Sequence, residues 1–198
     1  MFRVLGIAGS LRKGSYIRAL LRAAIEHAPP ELEIRPFERL GEFPLYDADL
    51  EARGVPEAVV ALKAAMREAD GILIATPEYN HSIPGVLKNG IDWASRPGGQ
   101  AAYGGKPVAI MGATPGRGAT IRAQAALRQS LGADVFLLGK PEVLIAQAGG
   151  KFDAAGRLTD EPTIRVLRAF LAAFATWIRR FQTPVGTASP RNIRPGGA

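Results

Sequence analysis

The 198-residue chain contains no cysteine. That excludes disulfides, thiolate metal sites and thiol redox chemistry, so any redox activity must come from a bound cofactor. Histidine is almost as scarce, with His27 and His81 alone. No apolar run is long enough to cross a bilayer. The N-terminus enters a strand at once, without the charged, apolar and small-residue regions of a secretory signal. A soluble, cytoplasmic protein with no membrane partner and no metal site is expected. What the chain does have is 47% apolar residues, enough for the core of one domain.

The formal charge is +7, which invites a nucleic-acid reading. The basic residues are nevertheless dispersed among acidic ones, as in Lys63-Ala64-Ala65-Met66-Arg67-Glu68. No zinc-finger or recognition-helix pattern accompanies them. They read as a solvated basic surface that attracts anionic small molecules, with no nucleic-acid partner.

Strand and helix patterns alternate. Strands are expected at Phe2–Ala8, Leu32–Phe37, Gly71–Thr76 and Lys106–Gly112, with final pieces at Asp134–Leu138 and Val143–Ala146. Helices are expected at Ser15–Ala28, Pro56–Glu68, Pro84–Trp93, Ala119–Leu131 and Glu161–Phe181. Pro29-Pro30 ends the first helix and Gly132 closes the fourth. Such alternation implies an α/β, doubly wound, five-stranded parallel sheet with helices on both faces. One domain is expected over residues 1–182, followed by a disordered Pro/Gly/Arg tail over 183–198. In this class ligands bind beyond the carboxyl ends of the strands. The loops Ser10–Tyr16, Pro77–Ile83 and Ala113–Gly118 should therefore share one site.

The first loop reads Gly9-Ser10-Leu11-Arg12-Lys13-Gly14-Ser15-Tyr16. A strand, a hydroxyl-rich basic loop and a helix start together make an anion site: free N–H groups and the helix dipole favour phosphate. Ser10 and Ser15 offer hydroxyls, and Arg12 offers a fork matched to phosphate oxygens. The loop is not a nucleoside-triphosphate loop. Ser15 stands where G-x-x-x-x-G-K-[ST] needs lysine, and Gly71–Thr76 ends in Thr76-Pro77 with no aspartate for magnesium. The G-x-G-x-x-G dinucleotide fingerprint is absent too. A terminal monophosphate fits better. The alternative is a plain βα turn in which Ser15 serves only as a helix cap.

The second loop reads Thr76-Pro77-Glu78-Tyr79-Asn80-His81-Ser82-Ile83-Pro84-Gly85-Val86-Leu87-Lys88-Asn89-Gly90-Ile91-Asp92-Trp93. With the G-S-L-R-K-G-S loop and the spacing between them, these motifs resemble the NADPH-dependent FMN reductases, a flavodoxin-like group that includes quinone and chromate reductases and some azoreductases. The resemblance runs from about residue 2 to residue 181. It implies a non-covalently held FMN, with NADPH or NADH as co-substrate. Ser10, Arg12 and Ser15, helped by Tyr16, would hold its phosphate. Pro77, Glu78, Tyr79 and Asn80 would run along the isoalloxazine, largely through backbone groups. Thr114, Pro115 and Gly116 would close the other side. Ile17 stands where the family often has asparagine, and the third loop matches only loosely.

The activity implied is hydride transfer from NAD(P)H to the flavin and on to quinones, azo compounds, free flavin or metal oxyanions such as chromate. Flavin N5 would carry the hydride, so no catalytic side chain is expected. His81, Arg96 and Arg117 are the candidates for substrate contact, the two arginines for the NADPH phosphate. Backbone N–H groups from Glu78 to Asn80 would stabilise negative charge on the reduced flavin. Asp92 and Trp93 are expected to cap and pack their helix, and His27 to meet the terminal carbonyls of the first. Assembly as a homodimer or homotetramer is also implied. The alternative is an FMN-binding electron carrier or regulatory flavoprotein without efficient NAD(P)H turnover; the basic charge counts against it, since small flavodoxin-type carriers are usually acidic.

Overall fold

The computed structural model describes residues 1–182; the expected tail, 183–198, lies outside the described residues. Strands β1 (Phe2–Ala8), β2 (Leu32–Phe37), β3 (Gly71–Thr76), β4 (Pro107–Ala113), β5 (Phe136–Leu137) and β6 (Val143–Ile145) form one sheet. The order is β2-β1-β3-β4-β5, with β6 also on β4, and every pairing is parallel. This is the flavodoxin-like winding, in which strand order reverses between β1 and β3. The fifth position is divided. β5 pairs with the start of β4 at Pro107 and Val108, and β6 pairs with its end from Met111 to Ala113.

Buried residues alternate between the two faces with the strand period of two. Val4, Leu73, Ala109 and Met111 pack under α1 (Tyr16–Glu26) and α6 (Glu161–Gln182). Leu5, Ile7, Ile72, Ile74, Val108 and Ile110 pack under α3 (Glu57–Glu68), α4 (Gly85–Ala94) and α5 (Ile121–Leu131). The two central strands, β3 and β4, are buried at every position, as a sheet covered on both faces requires. Among the described residues no helix is long and apolar enough to cross a membrane.

Some boundaries differ from the sequence patterns. Ser15 lies outside α1 as its N-cap, its hydroxyl accepting from Ile17 N–H at 3.1 Å. Ala119 and Thr120 are left-handed, with φ of 48° and 63°, so α5 starts two residues later than its pattern predicts. Gly132, at φ 61°, ends it. Helix α2 (Ala48–Arg53) has no buried residue and hence no apolar stripe to reveal it. Asp92 pairs with Lys88 one turn back rather than capping α4. The His27 ring meets Arg168 of α6; only its backbone N–H reaches the α1 carbonyls.

Candidate functional site

All strands point their carboxyl ends the same way, so the three loops after β1, β3 and β4 emerge together. Loop one is short and turned: Ser15 N–H donates to Arg12 O at 3.1 Å. The backbone N–H groups of Ser10 through Gly14 and of Tyr16 have no protein partner among the described residues. Arg12 and Lys13 are exposed and form no ion pair there. Ser10 and Ser15 are buried. The loop thus presents a row of unused donors and a free guanidinium beside a helix N-terminus, the donor set a phosphate monoester needs.

Loop two is a tight hairpin. Tyr79 and Ser82 exchange both backbone hydrogen bonds at 3.0 Å, and Asn80 and His81 between them take φ of 49° and 65°. Two consecutive positive φ values make a type I′ turn. The Tyr79 N–H is therefore occupied, which corrects the expectation that every N–H from Glu78 to Asn80 is available. Those of Glu78, Asn80 and His81 remain unbonded among the described residues. The Tyr79 ring is half exposed, and its hydroxyl lies 3.4 Å from Ser10 Oγ, joining loops one and two. Pro77 is buried beneath.

Glu78 faces away from open solvent. Its carboxylate accepts from Arg122 Nε at 2.8 Å, Arg122 N–H at 3.1 Å and Ala123 N–H at 3.3 Å, and pairs with the Arg122 Nη2 at 2.7 Å. Helix α5 has no cap of its own, because Thr120 is left-handed and makes no capping bond. Glu78 supplies that cap from another loop. Burial pushes its pKa up, but the donors from Ala123 and Arg122 outweigh burial and hold it below the usual glutamate range. The sequence patterns gave Arg122 no role; its partner lies 44 residues away.

Loop three is braced by neighbours. Thr114 N–H donates to Ile145 O at 2.9 Å, and Gly116 N–H to Thr114 Oγ1 at 3.2 Å. A fourth segment, also absent from the sequence reading, follows β6. Gln147 N–H reaches Gly116 O and Ala148 N–H reaches Thr114 O, both at 3.0 Å. Gly149 packs beside the Tyr16 hydroxyl, and the Tyr16 ring lies 5.6 Å from that of Phe152. The glycine pair Gly149-Gly150 after an apolar strand was the available signal. Thr114 is half-buried, and Pro115, Gly116 and Arg117 are exposed.

Of the three candidates for substrate contact, His81 sits on the hairpin tip with its side chain 75% exposed and Nδ1 3.8 Å from Glu78 Oε1. Arg117 stands in loop three, exposed, with no ion pair among the described residues. Arg96 is not brought to the cluster. It follows the far end of α4, about 15 Å along the helix from loop two, with its guanidinium 4.8 Å over the Tyr46 ring. Ile17, where the family often carries asparagine, is fully buried in the core.

The unbonded donors of loop one suit a phosphate, and the half-exposed Tyr79 ring stands beside them across the 3.4 Å contact to Ser10, a combination that fits FMN. Comparisons with known proteins agree. The family model for NADPH-dependent FMN reductase matches residues 2–150. An NAD(P)H-dependent FMN reductase of Pseudomonas aeruginosa is 50% identical over 181 residues, covering 91% of this chain and 97% of that protein. A quinone reductase of Pseudomonas putida is 43% identical, covering 90% and 96%. Among solved structures, the flavoenzyme NAD(P)H:(acceptor) oxidoreductase FerB of Paracoccus denitrificans superposes with a TM-score of 0.83 at 38% identity, over 91% of this chain and 99% of that one. With its flavodoxin-like sheet and its four convergent loops, the chain belongs to the NADPH-dependent FMN reductase family.

Proposed function

We propose that this protein oxidises NAD(P)H through FMN seated on loops one, two and three, and passes the electrons to small acceptors, quinones first. The observation that carries the reading is the donor set of loop one: unbonded backbone N–H groups and a free Arg12 at the N-terminus of α1, next to a half-exposed aromatic hairpin.

FMN supplies the hydride chemistry when bound. The chain's own residues bind and orient. Arg12 and the loop-one amides take the phosphate, with the buried Ser10 hydroxyl close by, and the Ser15 hydroxyl holds Ile17 N–H so that the start of α1 keeps its shape. Free N–H groups of Glu78 and Asn80 supply preorganised donors for negative charge that develops on the ring. Tyr79, exposed on one side, leaves an open face where nicotinamide and acceptor bind in turn. Such an open face supports a broad acceptor range, including azo compounds, free flavin and chromate. Assembly as a homodimer or homotetramer is proposed with it, and light scattering reads that directly.

The test is an anaerobic visible spectrum of the FMN-loaded protein, before and after NADPH or NADH, followed by turnover with a benzoquinone. A flavin spectrum that bleaches, with quinone-dependent NAD(P)H oxidation, is expected. A flavin spectrum that persists with both nucleotides would instead support the electron-carrier alternative. A protein that takes up no FMN would overturn both.

A further inference from the structure

We propose that Glu78 and Arg122 are a charge-matched positioning pair that sets the reduction potential of the bound flavin, each pulling it in the opposite direction. The inference rests on the FMN reading above.

Glu78 lies between Pro77 and Tyr79, inside the segment that would line the isoalloxazine. Its side chain is only 11% exposed, so its charge is poorly screened by water. Arg122 meets it with two guanidinium contacts, at 2.8 and 2.7 Å. Together the two side chains carry no net charge. His81 Nδ1 is 3.8 Å away, and Arg117 stands in the adjoining loop. The pair also ties loop two to the start of α5, because Glu78 caps that helix through Arg122 and Ala123 N–H. One carboxylate therefore fixes both where the hairpin amides lie and what charge stands behind them.

A flavin gains negative charge on reduction near neutral pH. An unopposed carboxylate nearby disfavours that charge, and an unopposed guanidinium favours it. Arg122→Gln strips the carboxylate of its counter-ion and should lower the potential. Glu78→Gln frees the guanidinium and should raise it. A merely structural role predicts something else: both variants loosen the same contact, so both shift the potential the same way or leave it unchanged. Neither residue is assigned a proton-transfer role.

The experiment is a midpoint-potential titration of FMN-loaded wild type, Glu78→Gln, Arg122→Gln and the double variant at one pH, with FMN affinity measured in parallel. Arg122→Gln, which bares the buried carboxylate, should alter the ratio of reduced to oxidised flavin affinity by roughly tenfold, about 30 mV for a two-electron couple. Glu78→Gln, which frees a guanidinium that is 52% exposed and better screened, should shift it less and with the opposite sign. The double variant should return close to wild type. Arg35→Gln, which removes a cation paired with Glu33 on β2, is the control for net charge and should leave the potential where it was. Glutamine at position 78 keeps a carbonyl oxygen for the Ala123 N–H, so the α5 cap survives and the variant folds. Same-sign shifts, no shift, or an equal shift in Arg35→Gln would overturn the proposal while leaving the FMN reading intact. Failure of the wild type to bind FMN would overturn the reading itself.

Discussion

Thr120 fills the space that a side chain on Gly112 would need. A Cβ at Gly112 would collide with the Thr120 hydroxyl and stand 2.8 Å from Thr76 O. Gly112 is on β4, Thr76 ends β3, and Thr120 precedes α5 in a left-handed conformation. This close approach lets loop three fold back over the sheet and deliver α5 to the Glu78 carboxylate. Gly112→Ala should cost about 1–3 kcal/mol, because the clash is with backbone as well as side chain. Urea unfolding of the apoprotein reads the loss. Weakened FMN binding should accompany it, since loops two and three would separate.

Arg12 makes the complementary case. It is exposed and forms no ion pair among the described residues, so the fold does not depend on it. Arg12→Ala should leave the stability of the apoprotein within about 0.5 kcal/mol of wild type. Its charge-assisted bonds to a phosphate are worth about 1.5–3 kcal/mol, so FMN should bind roughly 10- to 100-fold more weakly. Flavin-fluorescence quenching measures that, and riboflavin, which lacks the phosphate, should bind both proteins alike.

What could be read from the chain follows from how local each signal is. The strands were legible because runs such as Gly71–Thr76 are buried on both faces and show it residue by residue. The loop-one donors were legible because strand, hydroxyl loop and helix start are contiguous. The Glu78–Arg122 contact was not, because it joins residues 44 apart and nothing local to either distinguishes it from a surface charge. Ala119 and Thr120 fit the helical pattern for a similar reason: their left-handed backbone goes with a close approach of Thr120 to Gly112 that nothing local announces. The partner of Arg96 was not legible either: the ring it covers, Tyr46, lies 50 residues earlier in the chain.

Acid should act on the site through Glu78. Its folded pKa is depressed, because the Ala123 and Arg122 donors outweigh burial. The unfolded chain therefore binds this proton more readily than the folded one. The stabilisation is complete above the ordinary glutamate range, and it is lost as pH falls from there through the depressed folded value. Melting temperature measured against pH should fall across that window in wild type. In Glu78→Gln the curve should be flatter there, because the group no longer titrates.

The later part of the motif after β3, from Asn89 to Trp93, holds the fold together. Asn89 Oδ1 accepts from Tyr46 N–H at 2.8 Å, and its Nδ2 donates to Pro44 O at 2.8 Å. Trp93, fully buried, donates its Nε1–H to the same carbonyl at 2.9 Å. These bonds pin the segment around Pro44–Tyr46 to α4, where Arg96 then covers the Tyr46 ring. Asn89→Ala would leave the Tyr46 N–H without its acceptor, at a cost of about 1–3 kcal/mol. Because none of these groups belongs to the loop cluster, the phosphate contacts of loop one should be untouched. Denaturation should report a clear loss of stability, while the FMN dissociation constant, measured well below the unfolding transition, stays within about twofold of wild type. A parallel loss of FMN affinity would mean that the Pro44–Tyr46 segment reaches the cofactor after all.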